Sequence, residues 1–138
     1  MRARVCVVAL LLATVLAPIA ITTSGDRLDP RRQWAIAYLP EPTFIASIIV
    51  EGPVMFTHDD ARMARGEPCT TIYRFDPRRG PTEELVAFHC IPVPRGIVGR
   101  FRMTTRPNLD IGVGCTLTEY QFAGDAEGHR VPMPANAH

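Results

Sequence analysis

Lysine is missing from this 138-residue chain, and all fifteen positive charges are arginine. That excludes Schiff-base chemistry, a phosphate-loop lysine and a lysine general base. Serine is nearly missing as well. Beyond residue 25 only Ser47 remains, outside any Gly-x-Ser-x-Gly turn, which excludes a serine-hydrolase elbow. No Cys-x-x-Cys pair occurs, so neither a thioredoxin-type redox motif nor c-type haem attachment is supported. Gly112-Val113-Gly114 lacks the third glycine of a dinucleotide loop. Thirteen prolines and ten glycines leave little room for a long helix.

The first distinctive feature present is an address. Arg2 and Arg4 precede an apolar run from Val5 to Ile21, followed by the small residues Thr22 to Gly25. This is the pattern of a secretory signal, expected over residues 1–25 with cleavage between Ala20 and Gly25. The alternative is an uncleaved anchor, but the run contains Pro18 and sits at the short end of the ~17–25 residues that span a bilayer. The expected location is periplasmic or extracellular, with membrane contact only if the leader stays on. Loss of the leader leaves thirteen arginines against fourteen acidic residues. Those arginines are scattered, without a basic stripe, so nucleic acid is not an expected partner.

Residues 26–32 read as a linker. From Gln33 to Phe122, short apolar runs alternate with turn formers every eight to twelve positions, the rhythm of an all-β domain. The expectation is a small single-domain antiparallel sandwich or barrel of six to seven strands. The runs are Trp34–Leu39, Thr43–Val50, Pro53–His58, Cys69–Phe75, Glu84–Ile91, Gly99–Thr105 and Gly112–Phe122. A short helix is expected at Asp60–Ala64, capped by Asp59 or Asp60 and ended by Gly66. Residues 123–138, rich in Gly, Pro and Ala, read as a flexible tail.

Without Cys6 of the leader, three cysteines remain: Cys69, Cys90 and Cys115. In an oxidising compartment a disulfide is the default expectation. The segment from Asp76 to Glu83 is dense in turn formers. A hairpin centred between Arg79 and Gly80 sets Cys69 opposite Cys90, with Tyr73–Val86 and Thr71–Phe88 on the same face. The sequence therefore predicts a Cys69–Cys90 bridge, worth roughly 3 kcal/mol in the chain-entropy model, with Cys115 left as a buried thiol.

His58-Asp59-Asp60 is the most suggestive polar cluster. With His58 and Asp60 as ligands, alone or joined by Asp59 and His89, it forms a candidate site for a transition metal ion. Capping is the competing role for the aspartates, and His58 also simply ends the alternation Val54, Phe56, His58. His89 and Cys90 are adjacent and point to opposite faces of a regular strand. The leading functional expectation is an exported cell-envelope β-domain with a non-catalytic binding or scaffolding role. It needs no cofactor, and its partner is an envelope protein or a small ligand. A periplasmic metal-binding protein using His58, Asp59 or Asp60 and His89 is the alternative. An enzyme with Cys115 as nucleophile is the third reading, and the absence of a cation near Cys115 in the sequence counts against it.

Overall fold

The computed structural model describes residues 30–134 apart from Ile111 and Val113. The proposed leader and most of the proposed linker lie outside the described residues. Among the described residues no helix is long and apolar enough to cross a membrane.

Among the described residues, eight strands and one short helix follow in chain order: β1 (Arg32–Ile45), β2 (Ile48–Asp59), α1 (Asp60–Ala64), β3 (Thr70–Asp76), β4 (Gly80–Phe88), β5 (Ile91–Pro94), β6 (Arg102–Pro107), β7 (Cys115–Gln121) and β8 (Glu127–Arg130). The fold is all-β. All eight strands belong to one mixed sheet in the order β4-β3-β2-β1-β7-β8-β5, with β6 also on β7. The β1–β7 contact is parallel, Thr43 beside Cys115 and Phe44 beside Thr116. β8 takes over the same edge of β7 further along, pairing Tyr120 with His129. β4, β5 and β6 end the sheet, and each contains proline: Pro81, Pro92 with Pro94, and Pro107.

β1 is a long strand because a bulge accommodates its prolines. Leu39 pairs with Gly52 and Thr43 with Val50, so three residues of β1 face one of β2. Pro40 and Pro42 fall there, where the ladder needs no amide hydrogen. The expected strand Thr43–Val50 is corrected: the chain reverses at Ala46-Ser47, between the paired Ile45 and Ile48. Ala46 adopts a positive φ of 56°. Glycine, asparagine or aspartate usually marks such a turn, so Ala-Ser gave no signal.

The helix stands where the sequence places it, and Asp59 is its cap. Its Oδ1 accepts from the amides of Ala61 at 2.8 Å and Arg62 at 3.3 Å. Gly66, at φ 74°, follows the last turn. The β3–β4 hairpin forms, but its register is corrected. Asp76 pairs with Gly80 around a three-residue loop, and Thr70 pairs with Phe88, so Cys69 falls level with His89. Two irregularities, one between Ile72 and Tyr73 and one between Arg74 and Phe75, shift the ladder along the way. A hairpin read as a regular ladder cannot foresee them.

The inward face carries Leu39, Ile45, Val54, Phe56, Ile72 and Leu117, with Tyr120 and Phe122 closing the core. Each such side chain contributes roughly 1.5–3 kcal/mol on burial. The expected flexible tail is corrected over residues 123–134, and residues 135–138 lie outside the described residues. Residues 123–134 contain β8, and His129 and Val131 are fully buried.

Candidate metal centre

Alternation along β2 turns Val54, Phe56 and His58 inward, and His58 is 1% exposed. Its row continues across the sheet, with Gln33 on one side and Thr70 on the other. Cys69 immediately precedes β3, held by a bond from the Asp59 amide to its carbonyl at 2.9 Å. Cys90 lies past the end of β4, where the chain has left strand pairing. That break lets Cys90 turn into the core although its strand neighbour by register is not Cys69. His129 arrives from β8 and stacks on Tyr120, ring centres 5.0 Å apart. The Tyr120 hydroxyl is hydrogen-bonded to that of Thr70.

Two groups of donor side chains thus meet in the interior, sharing His58. His58, Cys69 and Cys90 offer donor atoms all within 4.8 Å of one another, and so do His58, Glu127 and His129. The Nδ1 atoms of both histidines face the Cys90 sulfur, at 3.7 Å from His58 and 3.5 Å from His129. Around a tetrahedral zinc ion, sulfur and nitrogen donors stand about 3.6 Å apart. The Cys69 and Cys90 sulfurs are 2.9 Å apart and both thiols are free. The expected Cys69–Cys90 disulfide is therefore corrected to a close thiol pair. The proximity is as expected, but the bond length of ~2.05 Å is not reached.

The outer nitrogens of the two histidines turn toward carboxylates. His58 Nε2 is 2.8 Å from Asp60, and His129 Nε2 is 3.9 Å from Asp125. The latter nitrogen is buried without a hydrogen-bond partner. Arg31 joins both carboxylates, through Nε to Asp60 at 2.9 Å and Nη1 to Asp125 at 3.1 Å, and reaches Glu127 at 3.1 Å. Carboxylate behind histidine is the arrangement that fixes ring orientation in metal sites.

Charge is handled accordingly. Burial, reinforced by nearby His58, pushes His129 down to about 4, so its ring is neutral at pH 7. Burial, with Cys69 close by, pushes the Cys90 thiol up to about 12. Burial works against ionisation of Asp60, yet hydrogen bonds from Arg31 and His58 outweigh it and hold the carboxyl below its usual range. A divalent cation bound here would favour the thiolate form of the Cys90 sulfur, against the effect of its burial.

Of the residues singled out from sequence, the structure unites His58 with Asp60, Cys69 and Cys90 and leaves Asp59, His89 and Cys115 elsewhere. Asp59 caps α1 and pairs with Arg32 at 3.2 Å. His89 is exposed and outside both donor groups. Cys115 is buried at the start of β7, its sulfur 3.4 Å from the Thr43 hydroxyl. His129 was missed because its strand is four residues long and lies in a stretch that composition marks as tail. The alternation of buried His129 and Val131 was its sole signal. Comparison with protein-family models, characterised proteins and solved structures returns no match.

Proposed function

We propose that this chain is an exported cell-envelope β-domain that binds one zinc ion through Cys69, Cys90, His58 and His129. The observation that carries this reading is the aim of both Nδ1 atoms at the Cys90 sulfur, with each Nε2 turned toward a carboxylate. Two thiolates and two imidazoles form a borderline-soft tetrahedral set, which suits zinc. A 2+ ion with two thiolates is neutral overall, and the carboxylates Asp60, Asp125 and Glu127 around it disfavour a monovalent ion that would leave net negative charge. All four donors are buried, so the reading assigns the ion a binding or structural role and no catalytic step. Elemental analysis of the reduced protein is expected to give one zinc per chain, with cobalt(II) producing thiolate charge-transfer absorption. His58→Ala or Cys90→Ser should abolish both signals. Retention of full stoichiometry in either variant would overturn the assignment.

A second reading, a partner-binding domain that needs no metal, draws on the outward face of β1. Trp34, Ile36 and Tyr38 are 68%, 47% and 67% exposed in alternation, more apolar surface in one line than a solvent-facing strand requires. A hydrophobic fluorescent dye should bind this face and lose that binding in Trp34→Ala. Export is part of both readings. Intact-mass analysis of protein from its native compartment should find the chain starting between Ile21 and Leu28.

A further inference from the structure

Cys69 and Cys90 are donors for which a metal and an oxidant would compete. Their separation of 2.9 Å lies between the ~2.05 Å of a disulfide and the about 3.8 Å of two sulfurs on one tetrahedral zinc. About 1 Å of movement reaches either state. Both residues are buried, Cys69 2% and Cys90 7% exposed. An outer groove of about 580 Å³, lined by Trp34, Met55 and Tyr73 together with the buried His58 and Cys69, is the side from which a small molecule would approach. The Cys90 amide donates to the Cys69 sulfur at 3.2 Å. When one sulfur of the pair attacks an incoming disulfide, the other is within reach to resolve the product.

We infer that Cys69 and Cys90 form a redox gate on the metal site, which a small-molecule disulfide of the glutathione class closes by oxidising the pair and expelling the ion. The inference rests on the zinc reading above. One thiolate of the pair attacks one sulfur of the incoming disulfide, forming a mixed disulfide and releasing one small thiolate. The other thiolate then attacks the protein sulfur of that mixed disulfide, the Cys69–Cys90 bond forms and the second small thiolate leaves. Each cysteine gives up one electron, and the incoming sulfur–sulfur bond takes both. The ion departs as the dication, because His58 and His129 alone are two neutral donors. Oxidised, the chain carries the Cys69–Cys90 bridge expected of an oxidising compartment. Reduced, it carries metal.

The test uses the full chain, reduced, loaded with zinc and treated with oxidised glutathione, with released zinc and intact mass followed together. One zinc is expected to leave per Cys69–Cys90 bridge found by peptide mapping, and dithiothreitol should restore uptake. The oxidised chain should bind zinc more weakly by well over the roughly 100-fold that loss of an outer-shell partner costs. Cys115→Ser should behave as the parent chain does. Zinc lost with both thiols intact would overturn the gate and leave the metal reading standing, whereas zinc retained beside a complete disulfide would overturn the gate and the two cysteine ligands of the metal reading together. Failure of the reduced chain to take up zinc at all would overturn the metal reading, and the gate with it.

Discussion

His129 and Tyr120 carry the consequences of burying polar groups in an apolar core. A histidine whose folded-state value is about 4 accepts a proton in the unfolded chain near 6.5, well before the native protein does. Metal-free protein should therefore be fully stabilised above about pH 6.5 and lose roughly 3 kcal/mol as pH falls toward 4. Urea midpoints taken across that range check this, and His129→Gln should flatten the profile in that window. The Thr70–Tyr120 hydroxyl pair makes a second case, since both residues are at most 1% exposed. Tyr120→Phe leaves the Thr70 hydroxyl short of its partner and should cost about 1–3 kcal/mol. Adding Thr70→Val should cost less than the sum of the single changes, which a double-mutant cycle measures.

At the level of elements, two neighbouring aspartates separate a cap from an orienting group. Asp59→Ala removes the acceptor for two helix amides and should cost about 1 kcal/mol with zinc affinity nearly intact. Asp60→Ala leaves the cap in place, frees His58 Nε2 and should weaken zinc binding about 10–100-fold. Chemical denaturation and metal competition titrations resolve the two effects. The helix was legible because its signals are local: an aspartate before it, a glycine after it. The β1–β2 reversal was not, because Ala46 occupies a conformation that its side chain does not advertise. Ala46→Gly should accordingly stabilise by about 0.5–1 kcal/mol, less whatever methyl packing is lost, as thermal unfolding would show. Three of the four proposed ligands were legible for the same reason. His58 follows from alternation and the nearness of Cys69 to Cys90 from the hairpin, while His129 depends on a contact made from another part of the chain. The hairpin argument reached the right pair through the wrong register, since the real ladder slips twice and Cys90 turns inward only after pairing has ended.

Across the whole molecule, the sheet's exposed ends bear on how this protein behaves among its own copies. Among the described residues β4, β5 and β6 end the sheet, and each has one long side without a neighbour. An open strand edge is a template on which another chain can add, the first step of aggregation. Proline has no amide hydrogen to offer such a newcomer. With Pro92 and Pro94 in four residues of β5, Pro81 in β4 and Pro107 in β6, each edge meets a recruit with gaps in its hydrogen-bonding row. The high proline count that breaks helices along the chain thus also limits polymerisation at its borders. A variant with Pro92→Val and Pro94→Val should remain folded at low concentration yet form light-scattering particles sooner on heating, at protein concentrations where the parent chain stays dispersed.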